Sequence, residues 1–93
     1  MTLKLTDRAK KHIETESAAS PEMVPILAWA TGAAARSEIM REGWWLLFCP
    51  PDRRPIQWNV EVEGLVMSVH PDMQRRLEGK ILDFSDGHLQ ALI

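Results

Sequence analysis

The sequence predicts an α+β domain that is mostly β-structure. Three observations carry this. Residues Ile56–Val62 alternate apolar and polar, Asp86-Gly87 sits between two strand-like runs, and the clearest helical pattern is short and confined to the N-terminal part. Ninety-three residues make one domain, 1–93. A chain of this size buries only about 60–65% of the surface that its unfolded form exposes, so its core is thin.

The elements follow in order. Leu3 and Leu5 read as a short extended start. Thr6 is a suitable N-cap and Asp7 a favourable first-turn acid for a helix over Asp7–Glu16. Ala9 and Ile13, four apart, give that helix a narrow apolar stripe, while Lys10, Lys11, Glu14 and Glu16 face water. Pro21 makes continuation costly. Met23–Ala30 reads as a strand with both faces apolar: Val24, Ile26, Ala28 and Ala30 on one, Leu27 and Trp29 on the other. Pro25 lacks an N–H donor and points that end to a sheet edge. Ala33–Glu42, followed by Gly43, has helical propensity.

Trp44–Cys49 is an apolar run that reads as a strand, and Pro50-Pro51-Asp52-Arg53-Arg54-Pro55 must be a loop. In Ile56–Val62 the residues Ile56, Trp58, Val60 and Val62 form the buried face. Glu63-Gly64 turns the chain into a second strand, Leu65–Val69. Pro71–Leu77 reads as a short helix with Gly79 just beyond it. Lys80–Ser85 and His88–Ile93 form a hairpin, because Asp-Gly suits a two-residue turn whose central residues both need φ > 0. The total is about six strands and one or two helices.

Composition excludes several classes of function. The net charge is −2, from 13 acidic and 11 basic residues, without the clustered positive excess of a nucleic-acid or polybasic membrane binder. No apolar run approaches the ~20 residues of a spanning helix. The N-terminus has no apolar h-region, so no secretory signal is expected. The single cysteine, Cys49, fits a reducing compartment, and a cytoplasmic location is expected.

Several segments together resemble the HesB-like domain, the fold of the A-type iron–sulfur cluster carriers. Leu3-Lys4-Leu5-Thr6-Asp7-Arg8-Ala9 resembles that family's strand-to-helix start. Ile26-Leu27-Ala28-Trp29-Ala30-Thr31-Gly32 falls where the family has a strand leading into a Gly-rich loop. Val62-Glu63-Gly64-Leu65-Val66-Met67-Ser68-Val69-His70-Pro71 resembles its late hairpin, and Leu77-Glu78-Gly79-Lys80-Ile81-Leu82-Asp83-Phe84 its Leu-acidic-Gly-x-x-Leu/Ile-Asp-Tyr segment. The resemblance implies a small closed β-structure, mostly antiparallel with some mixed pairing, an N-terminal helix and a short late helix. It also implies a link to iron–sulfur cluster biosynthesis. The family's cluster cysteines have no counterpart. Ala35, after Ala33 and Ala34, stands where the first falls, and no Cys-Gly-Cys tail is present through Ile93. A cluster needs roughly four thiolates, so the resemblance implies the scaffold without the carrier chemistry.

Cys49 is the one soft ligand. It reads either as a small structural hydrophobe or as a metal ligand shared across a dimer. His12, His70 and His88 make no i, i+3 or i, i+4 pair with one another or with Cys49. His12 reads as a helix-surface residue and His70 as a helix cap. His70 or His88 joining Cys49 after folding is the metal-binding alternative. Asp83 fits the family's structural aspartate and Asp86 the turn. An enzyme reading needs Asp83, Asp86 and His88 to converge in a cleft. The serines lack a nucleophile-elbow context and the glycines form no phosphate loop. Arg53-Arg54 and Arg75-Arg76 read as solvated pairs. Trp44 and Trp45 are adjacent, so in a strand they point to opposite faces. With Phe48 they are the expected interface residues.

The expected function is therefore a non-catalytic, HesB-like scaffold that binds a partner protein or itself as a homodimer, without its own cluster. The alternative is an iron, iron–sulfur or metal carrier using Cys49 across a dimer.

Overall fold

The computed structural model describes residues 1–30 and 42–92. The helix expected over Ala33–Glu42 lies outside the described residues apart from Glu42, which bends into the following strand.

Strand β1 is only Lys4–Leu5, and Thr6 then caps α1, Asp7–Ala19. The Ala9 amide donates to Thr6 Oγ1 at 3.2 Å, satisfying one of the unpaired N–H groups of the first turn. Ala9 and Ile13 are fully buried, as their spacing requires. The helix runs three residues beyond the expected end at Glu16, through Ser17-Ala18-Ala19, because alanine favours helix and the proline comes only at Pro21.

β2 (Val24–Ala30) and β3 (Gly43–Cys49) pair antiparallel along their whole length, with Leu27 opposite Leu46 and Trp29 opposite Trp44. Pro25 is not at a sheet edge: β2 lies between β3 and the later strand β5, Leu65–Ser68, to which it pairs in parallel at Ile26–Ser68. Pairing to β5 rests on that one bridge, beside the proline, so the missing N–H interrupts the ladder without ending it.

The expected strand over Ile56–Val62 begins late. Pro51–Arg53 and Ile56–Trp58 are 3₁₀ turns, and β4 is Asn59–Val62. The Trp58 amide closes its turn on the Pro55 carbonyl at 3.0 Å. Ile56 is consequently 80% exposed, not part of a buried face, whereas Val60 and Val62 keep the predicted side. Glu63 (φ 49°) and Gly64 (φ 85°) form a tight turn of left-handed residues into β5. Helix α2 is Pro71–Leu77. β6 (Ile81–Ser85) and β7 (His88–Leu92) form the expected hairpin, with Asp86 at φ 54° and Gly87 at φ 76°.

These strands form one seven-stranded mixed sheet in the order β1-β6-β7-β3-β2-β5-β4. Its edges approach each other. The Leu5 amide of β1 donates to Glu63 Oε2 in the β4–β5 turn, which nearly closes the sheet. The inner face carries Leu27, Trp44, Val62, Met67, Leu82 and Leu89, and it meets Ala9 and Ile13 of α1 and Leu77 of α2. Alternation sends the neighbouring residues outward. On β5, Met67 is fully buried and Val66 is 54% exposed. No described helix is long and apolar enough to cross a membrane.

Candidate functional site

β3 presents the residues most relevant to function. Trp44, Leu46 and Phe48 take its inner side, and Trp45, Leu47 and Cys49 its outer side. Trp44 is 7% exposed and meets Trp29 edge-on at 5.3 Å between centroids. It is a core residue of this chain, so of the two adjacent tryptophans it is the one turned inward. Trp45 and Phe48 are half-buried.

On the outer side the register builds a short apolar patch. Cys49 lies opposite Val24, and Leu47, 37% exposed, opposite Ile26. Ile26 pairs with Ser68, so the parallel register sets Val24 beside Val66. Cys49, Val24 and Val66 therefore make one apolar row across three strands. The loop after β3 covers the next row. Arg54 Nε donates to the buried Ser68 Oγ at 3.0 Å, and its guanidinium sits 4.6 Å above the Trp58 ring. Arg54 is thus a strap over the sheet, not the solvated loop cation that its sequence suggested. Arg76 likewise lies over the Trp29 ring, at 5.2 Å, while Arg75 pairs with Asp72.

The proposed metal ligands are not gathered. Cys49 is half-buried at the end of β3. Extending the Trp44–Leu89 pairing by one residue places His88 opposite Trp45, four residues from Cys49 along β3 and roughly 13 Å away. His70 is occupied as the cap of α2. Its Nδ1 accepts from the Asp72 amide at 3.1 Å and its ring meets Trp58 at 4.7 Å. Among the described residues no group of three or more His, Cys, Asp or Glu side chains could hold a metal ion. The single thiol and these separated imidazoles do not fit an iron–sulfur cluster.

Asp83 has a structural partner that the sequence did not reveal. Arg8 Nε donates to its Oδ1 at 2.8 Å and Arg8 Nη2 to its Oδ2 at 2.6 Å, and Thr6 Oγ1 donates to Oδ1 at 2.6 Å. The Arg8 fork, and then the Thr6 hydroxyl, hold the carboxyl well below the usual carboxylate range. The same pairing raises the Arg8 guanidinium. The network ties the cap of α1 to β6. Asp83 is engaged by Arg8 and Thr6, and neither it nor Asp86 is among the described residues lining the cleft that His88 lines.

One cleft has a volume of about 260 Å³. It lies between α1, β3 and the β6–β7 turn. Trp44, Trp45, Leu46, Phe48, Phe84 and Leu89 supply apolar walls, and His12, Glu16 and His88 supply polar groups. His12 stacks on Phe84, with ring centroids 3.8 Å apart and planes 6° from parallel. Both His12 and Glu16 read as surface residues in the sequence. Their i, i+4 spacing beside Ile13 was the available signal that they share a face near the core.

No protein-family model matches the chain, and no curated protein matches it in sequence. Among solved structures, one of Escherichia coli SufA, described as involved in biosynthesis of iron–sulfur clusters, superposes with a TM-score of 0.61 at 22% identity. The match covers 99% of this chain and 81% of that one. The chain has the HesB-like fold. The sheet, the N-terminal helix and the short late helix inferred from the sequence are all present in it. At this identity the likeness concerns the fold, and the thiol inventory of this chain is its own.

Proposed function

We propose that this HesB-like chain is a non-catalytic scaffold related to iron–sulfur cluster biosynthesis, which binds a partner protein or a second copy of itself and holds no cluster of its own. The observation that carries this reading is the isolation of Cys49. The one thiol of the chain sits half-buried, with His70 engaged as a cap and His88 roughly 13 Å along the strand. The outer patch of β3 supports the binding role. Leu47, Cys49, Val24 and Val66 present apolar surface where a solvated sheet face would carry polar side chains. Burial of such a patch is the driving force for association.

The first test is anaerobic reconstitution with iron and sulfide, comparing wild type with Cys49→Ser by visible absorption and metal content per chain. Neither protein is expected to retain iron. A cluster in wild type that is absent from Cys49→Ser overturns the reading and establishes Cys49 as a ligand shared between chains. A second test places a charge in the patch. Leu47→Glu is expected to abolish self-association in sedimentation equilibrium, or capture of the partner, without loss of fold by circular dichroism. Unchanged association would remove the outer face of β3 from the proposal.

A further inference from the structure

The strap between β3 and β4 holds a guanidinium in a fixed place beside the outer apolar patch. Arg54 is half-buried. Its Nε donates to the fully buried Ser68 Oγ at 3.0 Å, and its guanidinium carbon lies 4.6 Å from the Trp58 ring centroid. Trp58 is itself clamped. Its carbonyl accepts from the Val69 amide at 2.9 Å, its amide closes on the Pro55 carbonyl at 3.0 Å, and its ring meets His70 edge-on at 4.7 Å. The Arg54 side chain has therefore given up much of its rotamer freedom before anything binds. The bond to Ser68 uses one of the guanidinium's N–H donors, and the two Nη groups keep theirs. Among the described residues no carboxylate lies within ion-pair distance of Arg54 or of the exposed Arg53. The end-on Nη fork matches the two oxygens of a carboxylate.

The cation and the patch are contiguous. Val66 lies two residues before Ser68 on β5, on the same side and roughly 7 Å away. The register continues from Val66 through Val24 to Cys49, with Leu47 one row on. Glu61 of β4, an exposed acid, stands opposite Val66. We propose, building on the scaffold reading above, that this face takes a partner-protein segment presenting an acidic side chain beside apolar ones. The carboxylate docks on the Arg54 fork, and its apolar neighbours cover Val66, Val24 and Leu47. An amide in place of the acid keeps the apolar contact and loses the charge-assisted pair. A lysine there meets Arg53 and Arg54 with like charge.

Four probes test this: the end-capped tripeptide Leu-Glu-Leu, its Leu-Gln-Leu and Leu-Lys-Leu counterparts, and acetate alone. Each is titrated into the ¹⁵N-labelled full chain at pH 7, where the probe carboxylates are ionised. The Glu peptide is expected to shift the Arg54 Nε–H and the Val66 and Leu47 amides saturably, and to bind at least about fivefold more tightly than the Gln peptide. The Lys peptide is expected to bind most weakly. Arg54→Gln is expected to bring the Glu peptide down to the level of the Gln peptide. Glu61→Gln, an exposed position outside the strap, is expected to tighten the Glu peptide about twofold. Equal binding of the three peptides, with shifts at Val66 and Leu47, overturns the acid selection and leaves the apolar patch standing. Shifts confined to other parts of the chain overturn both. Acetate binding as tightly as the Glu peptide gives the fork to a small free anion instead. Dissociation of a wild-type dimer by Glu61→Gln gives it to Glu61 of a second copy, and each result overturns the partner assignment. The wild-type comparison of probes stands even if Arg54→Gln proves unstable.

Discussion

Adjacent residues of β5 provide a direct test of which side of the sheet is the core. Met67 is fully buried in the cluster formed with Leu27, Leu82 and Ile13, whereas Val66 is 54% exposed on the opposite face. Met67→Ala removes a side chain that close-packed neighbours can only partly replace, at a cost of about 2–5 kcal/mol. Val66→Ala loses little burial and some strand preference, below about 1 kcal/mol. The whole domain has about 5–14 kcal/mol to lose, scaled to its 93 residues, so the first change is a large fraction of the total. Urea unfolding followed by tryptophan fluorescence measures both. With an m-value of about 2 kcal/mol/M, Met67→Ala lowers the midpoint by roughly 1–2.5 M, and Val66→Ala moves it far less. The two variants should part again in association, where Val66→Ala weakens self- or partner binding because it lies in the outer patch. Equal destabilisation by the two changes would refute the assignment of faces, and with it the outer patch as an available surface.

Further expectations concern the ties between elements. The Asp83 carboxyl has its pKa depressed by Arg8 and Thr6, so it contributes stability above the ordinary unfolded carboxylate pKa of about 4, and this is lost as pH falls toward its lower folded value. Asp83→Asn is therefore expected to lower the urea midpoint at pH 7 and to flatten its decline below about pH 4; an unchanged pH profile would show the pairing to be absent in solution. Thr6→Val removes the hydroxyl that caps α1 and binds Asp83, with an expected loss of about 0.5–2 kcal/mol in the same assay. His70→Ala removes the cap of α2 and should cost about 0.5–1.5 kcal/mol, with most of it recovered in His70→Asn; no recovery would place the value of His70 in its contact with Trp58 instead. Glu63→Ala frees the Leu5 amide, whose hydrogen exchange should accelerate while that of the β6–β7 hairpin does not change.

What could be read from the chain alone was what depends on near neighbours. Asp86-Gly87 specified its turn because two consecutive residues there need positive φ, and the Ala9–Ile13 spacing specified the buried side of α1. The likeness in segment order led to the fold for the same reason, since each segment carries its own turn and period. Ile56 was misread because one alternating stretch extrapolated backward through Pro55, where a local 3₁₀ turn replaced the strand. The rest depended on partners far apart in sequence. Arg8 meets Asp83 across 75 positions, Leu5 meets Glu63 across 58, and Arg54 reaches Ser68 over the face of the sheet. No local pattern encodes such pairs, because each arises only when strand order brings two elements together. The candidate site divides the same way. Sequence singled out Cys49, Trp44, Trp45 and Phe48 by residue type and placed the two tryptophans on opposite faces. Only the tertiary structure decided that Trp44 belongs to the core, that Cys49, His70 and His88 form no common metal-holding group, and that His12 and Glu16 of the helix help to wall a cleft.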